Sequence, residues 1–132
     1  MARNGTIRLD TPNNNWLKAD LSNVENPQEK LLIFCGHIPF RAGGSNNGSN
    51  VNTDKFYSEV LSLMTQFNEA HIMIGHTHYS QNWIHANYKC QNGKPVYEHI
   101  HGAACGAWWS TYNTDKFGGP SGYSIYSIEG NS

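Results

Sequence analysis

Two short apolar stretches of this sequence each run into Gly-His: Leu31-Leu32-Ile33-Phe34 leads to Gly36-His37, and Ile72-Met73-Ile74 leads at once to Gly75-His76-Thr77-His78. Imidazole is the commonest metal ligand and the side chain that titrates near neutral pH. Seven histidines against nine lysines plus arginines is a high ratio, which turns attention to metal chemistry. In open α/β sheets, ligands bind beyond the carboxyl ends of the strands, so His37, His76 and His78 should gather on one rim. His76 and His78 would point to opposite sides of a regular strand, but from a turn both can face a site, each toward a different ion. That suits a two-metal centre better than one tetrahedral zinc. A glycine ahead of each histidine fits a sharp turn or a close backbone approach to a bound group. The competing reading makes each histidine a hydrogen-bonded residue at a strand end. For a single histidine that reading would prevail; three at equivalent places shift the balance toward a shared site.

The other candidates are weaker. His85 and His99 read as structural or solvated. His99 and His101 alternate within a β stretch and so share one face, either a solvated sheet face or a pocket wall. His101 is open to a substrate-side role because Gly102 and Ala103 after it allow close ligand approach. Trp108, Trp109, Tyr112 and Phe117 are either core packing or a lid over an apolar part of a ligand. Cys105 has no adjacent base or helix start to lower its pKa and reads as small packing. Ser110 lacks the context of a nucleophilic triad.

The elements that must position these residues follow from periodicity. Trp16, Leu17 and Leu21 stand at helical spacing behind asparagines able to cap, which predicts a short helix from Asn13 to about Leu21. Asn26-Pro27 breaks it, and Leu31 to Phe34 reads as a strand covered on both faces. Ala42 to Asn52, rich in Gly, Ser and Asn, is expected to be a surface loop. Thr53 or Asp54 can cap a second helix on which Phe56, Val60, Leu63, Met64 and Phe67 form one apolar stripe. His71 to Ile74 is a second strand, and strand, helix, strand in this order predicts a parallel pair. Trp83 to Tyr88 and Val96 to His101 flank Asn92-Gly93, a hairpin signal. Tyr123 to Ile128 alternates apolar residues with serine and is expected to be a last strand.

At this point a family resemblance becomes specific. Gly36-His37 and Gly75-His76-Thr77-His78, each closing an apolar strand, are similar to the last two motifs of calcineurin-like metallophosphoesterases, written GH and GHxH. The helix around Trp16-Leu17 resembles the Trp-Leu helix many members carry before the first of these strands. His101 to Trp109, reading His-Gly-Ala-Ala-Cys-Gly-Ala-Trp-Trp, followed by Gly119-Pro120-Ser121-Gly122-Tyr123, resembles the strand and loop that close the domain in one bacterial branch. The resemblance implies that His37 and His76 bind one metal and His78 the other, in a hydrolase acting on phosphoric esters. It also implies divalent manganese, iron or zinc, two ions in the intact family site. The family's DxH, GDxxD and GNH(D/E) motifs, which supply the bridging carboxylate and the other ligands, do not occur here, and Asp10, Asp20 and Asp54 lie in the wrong contexts to replace them. A carboxylate bridge holds two cations together against their repulsion, so one ion or none is expected in this chain.

The expected fold class is therefore α/β. Residues 1–132 are read as a partial calcineurin-like phosphoesterase domain, the C-terminal half of a two-sheet sandwich flanked by helices. Such a half, inactive alone, would expose apolar sheet surface and tend to form homo-oligomers. A net charge of -1 with scattered Lys and Arg gives no basic stripe, which argues against nucleic acid as a partner. No apolar run approaches the roughly 18 residues of a membrane span. Three cysteines without CxxC spacing suggest neither a disulfide framework nor a zinc ribbon. Cellular compartment is left open, and so is the ester cleaved. The rival reading is a non-enzymatic carbohydrate- or peptide-binding module whose Trp and Tyr residues form a flat platform and whose histidines are incidental or hold one structural ion.

Overall fold

Leu17 and Leu21 lie one helical turn apart, and their burial against the core is what holds the first helix, α1 (Thr11–Ser22), in place. The computed structural model describes residues 11–40, 55–104, 114–115 and 117–131. The expected loop at 42–52, the caps Thr53 and Asp54, the Phe56 side chain, and Cys105, Trp108, Trp109, Ser110 and Tyr112 lie outside the described residues. Trp16 was expected on the packed stripe of α1 but is 66% exposed. Leu17 and Leu21 take the inward positions, and one residue's rotation of about 100° carries Trp16 toward solvent. After α1, Asn26 adopts a left-handed backbone (φ 49°) and starts a 3₁₀ turn at Pro27–Glu29, which ends the helical register before β1 (Leu31–Cys35).

The second helix, α2 (Lys55–Met64), is the amphipathic one. Val60, Leu61 and Met64 are buried. Its last turn tightens into i→i+3 bonds, with Phe67 N–H donating to Met64 O, so that Phe67 is also buried. Next come β2 (Glu69–Ile74), β3 (Gln81–Lys89) and β4 (Pro95–Ile100). The sheet order is β1-β2-β4-β3. β1 and β2 are parallel, as the strand, helix, strand order predicts, and β2 and β4 are parallel too. β3 and β4 form the expected hairpin, closed at Asn92-Gly93 with Gly93 at φ 83°. The described residues thus form a mixed α/β fold with one four-stranded sheet and two helices.

Alternation sorts the sheet into two faces. Ala70, Ile72 and Ile74 of β2 and Val96, Glu98 and Ile100 of β4 are buried, and Leu32 and Phe34 of β1 pack against the same core as the helices. Burying aliphatic side chains of this size contributes about 1.5–3 kcal/mol each. The opposite face carries Ile33, Cys35, His71, Met73, Tyr97 and His99, which are half-buried or exposed. The residues from Tyr123 to Ile128 do not form the strand their alternation suggests. Instead they cross this second face: Ser124 and Tyr126 reach His99 and His101 of the β4 end, and Asn131 meets Asn68 and Glu29 at the other end of the sheet. A segment lying across a face has no strand edge to pair with, which leaves Tyr123 and Ile125 more than 80% exposed.

Candidate functional site

β1 ends at Cys35 and β2 at Ile74, side by side and pointing the same way. Gly36 continues the ladder by donating its N–H to Met73 O, and the chain then turns out through His37. A Cβ at Gly36 would stand 3.0 Å from a Phe34 ring carbon and 3.1 Å from Ile74 Cδ1, so close packing accounts for the glycine there. Gly75 differs, since a Cβ on it would meet nothing within 4 Å. The turn after β2 is made by the histidines themselves: His76 and His78 both hold left-handed backbones, at φ 70° and 66°. Positive φ in a residue with a side chain is uncommon and costs free energy, and such strain concentrates at functional sites. It is also what frees the two side chains from strict strand alternation.

The outcome is a direct meeting of His37 and His76. His76 Nδ1 lies 3.1 Å from His37 Nε2, with ring centroids 4.9 Å apart and planes at 74°. Both residues are exposed. In the neutral pair one nitrogen donates to the other. On a tetrahedral zinc, two imidazole nitrogens at 2.0–2.1 Å from the ion would stand about 3.3 Å apart, so the observed separation fits a shared cation with little movement. Partial burial, reinforced by the neighbouring His37 and His78, lowers the His76 pKa and favours the neutral ring a metal requires. Among the described residues no group of three or more His, Cys, Asp or Glu is gathered to hold an ion. The donor set in hand is this pair, with His78 near enough to act on His76 through charge.

The other sequence candidates separate from it. His101 sits at the end of β4, where its N–H donates to Ile74 O, but its ring packs against His99 and its Nε2 meets the Tyr126 hydroxyl at 3.1 Å. His99 and His101 do share a face, with ring centroids 4.4 Å apart. His85 is structural: its Nε2 lies 2.7 Å from the fully buried Glu98 carboxylate, whose other oxygen accepts the Phe40 N–H at 2.9 Å. Phe117 meets Tyr79 edge-on, with centroids 5.0 Å apart.

Two anchoring carboxylates escaped the sequence reading. Glu98 could have been found, because it occupies an inward phase between Val96 and Ile100, where a carboxylate demands a partner. Asp115 gave no such signal. It accepts the N–H groups of Phe117 and Gly119 at 2.8 Å each and that of Ser80 at 3.3 Å, tying the loop around 114–120 to the chain leaving the histidine turn. A Cβ at Gly119 would lie 2.7 Å from Asp115 Oδ2, so a side chain there would have to displace the carboxylate. No family model and no curated protein sequence matches this chain.

Proposed function

We propose that this chain carries the histidine end of a metal-dependent phosphoric ester hydrolase of the calcineurin-like type. The observation that carries the proposal is the 3.1 Å approach of His76 Nδ1 to His37 Nε2 at the carboxyl ends of adjacent parallel strands. In this reading His37 and His76 hold one divalent ion, manganese, iron or zinc, and His78 faces the position of a second. Bound there, such ions supply Lewis-acid activation of a phosphoester and of the attacking water. The strained turn at His76 and His78 sets the direction of both imidazoles, and the lowered His76 pKa keeps its lone pair available. His101, turned to Tyr126, is given no part in the reaction.

The four-stranded sheet is read as one layer of a two-sheet sandwich. Its second face is where the other layer, or a second copy of this chain, would lie: Ile84 at 59% exposed and Ile125 at 82% are apolar surface without cover among the described residues.

Zinc calorimetry on the wild type and on the His37→Ala, His76→Ala double variant tests the assignment. At least a tenfold loss of affinity is expected, and equal affinities would overturn it. A parallel assay addresses sufficiency. With the acidic motifs absent, hydrolysis of an aryl phosphate in manganese or zinc should be no faster for the wild type than for His76→Ala; robust turnover abolished by that substitution would show a sufficient site in this chain.

A further inference from the structure

Away from the His37–His76 pair, the structure holds a second pair of histidines whose surroundings are arranged differently. His99 lies on β4 and His101 one residue past its end, and the alternation carried on from Ile100 brings both rings to the face opposite the helices. Their rings lie 4.4 Å apart, centroid to centroid, at 67°. Asn82 is the cross-strand partner of His99 on β3, and its Oδ1 lies 2.6 Å from His99 Nδ1. A carbonyl oxygen can only accept, so Nδ1 carries the proton and the lone pair is on Nε2. Such an orienting acceptor behind the ring is the usual companion of a metal-ligating histidine, where it fixes the tautomer and raises ligand basicity. The Nε2 atoms of both histidines face hydroxyls: Ser124 Oγ at 3.5 Å from His99 and Tyr126 Oη at 3.1 Å from His101. Both hydroxyls belong to the exposed, irregular segment that crosses this face, and neither holds its nitrogen through a charged contact.

We propose that His99 and His101 form a second cation site, separate from the His37–His76 pair, taking one borderline divalent ion of the cupric, nickel or zinc type through their two Nε2 atoms. Two imidazoles and no carboxylate make a donor set suited to these ions and poorly suited to magnesium or calcium, and among them affinity should be highest for the cupric ion. Solvent completes the coordination, since the site lies on an exposed face. Partial burial and the neighbouring His101 lower the His99 pKa, which keeps that ring neutral and ligating near pH 7. Tyr126 is held protonated, chiefly by burial, and so enters as an exchangeable hydrogen-bond partner of His101. Cys35, His71 and Tyr97 share this face; Cys35 and Tyr97 act on Tyr126, and His71 is engaged with Glu69, its Nε2 lying 2.8 Å from Oε1.

The experiment uses the 132-residue chain carrying His37→Ala and His76→Ala, so that the outcome does not depend on the metal centre assigned above. Cupric ion alone is titrated by calorimetry, with electron paramagnetic resonance reporting nitrogen coupling from two imidazoles. Adding His99→Ala or His101→Ala should weaken binding at least tenfold and remove that two-nitrogen signature. Asn82→Ala should weaken binding severalfold while keeping the signature. Because alanine at either strand position could disturb β4, His99→Gln and His101→Gln are run beside them with circular dichroism to confirm the fold. Unchanged affinity or an unchanged signature in folded variants lacking either histidine would overturn the proposal.

Discussion

His85 and His76 occupy the same sheet system and meet opposite partners. His85 lies against a carboxylate with no exposure, Glu98, whose second oxygen is taken by a backbone N–H, so every polar atom of that contact is answered inside the fold. His76, exposed on the carboxyl rim, meets another imidazole. The first arrangement is closed: a proton on His85 Nε2 is donated to one Glu98 oxygen while the other accepts the Phe40 N–H. The second is open, because two imidazoles can share one proton but protonating both places like charges 3.1 Å apart. A divalent cation satisfies both lone pairs at once. The histidine facing a carboxylate is part of the architecture, and the histidine facing a histidine at a strand end is the arrangement on which the proposed metal site rests.

The sharpest way to break this comparison is at Glu98. Removing one member of a buried, hydrogen-bonded pair strands the other and costs about 3–5 kcal/mol. Glu98→Ala should lower stability by that amount in urea unfolding, leaving Phe40 N–H and His85 without their acceptor. Glu98→Gln keeps an acceptor oxygen of nearly the same shape and should cost less. A Glu98→Ala loss below about 1 kcal/mol would mean the contact is not an anchor, and the contrast with the rim would lose its basis.

How far the sequence foretold this arrangement depends on what kind of signal each part carries. β1, α2, β2 and the β3–β4 hairpin were legible because each combines an apolar period with a terminating residue, as at Ile74-Gly75 or Asn92-Gly93. The placing of His37 beside His76 followed from both strands ending in Gly-His and running parallel. What could not be read was lateral partnership. Nothing in the alternation of Tyr123 to Ile128 says whether it pairs along an edge or crosses a face, since both bury every second residue in part. Asp115 belongs to the same class. Its partners, Ser80, Phe117 and Gly119, are backbone groups, and backbone donors leave no trace in residue identity.

A second test exploits the two glycines, which look equivalent in sequence and are not in space. Gly36→Ala would push a methyl group to 3.0 Å from Phe34 and 3.1 Å from Ile74, a crowding of core side chains that costs about 1–3 kcal/mol. Gly75→Ala meets open space and should change stability by less than about 0.5 kcal/mol. Each glycine precedes a histidine of the pair, but only at Gly36 would the added methyl be crowded and shift the chain, so Gly36→Ala should weaken zinc binding more than Gly75→Ala does. Equal effects on both stability and zinc affinity would show that the rim does not depend on the close seat of Gly36 against the core.

The smallest expected effect concerns how the histidine turn is tethered. Burial would raise the Asp115 pKa, but the N–H groups of Gly119, Phe117, Ser80 and Gly118 outweigh it and hold the carboxyl below its ordinary value of 3.8. The unfolded chain then binds a proton at higher pH than the folded one. Stability from this group is fully present above pH 3.8 and is lost as pH falls toward the lower folded value. Asp115→Asn replaces charge-assisted hydrogen bonds with neutral ones of about half the strength and should cost about 1 kcal/mol near pH 6. The amide does not titrate, so the difference between wild type and variant should shrink as urea midpoints are followed from pH 6 to pH 3. A gap that stays constant across that range would mean Asp115 acts through shape alone. A gap that narrows identifies a carboxylate tether at Ser80, two residues beyond His78, anchoring by negative charge a turn whose own side chains carry none.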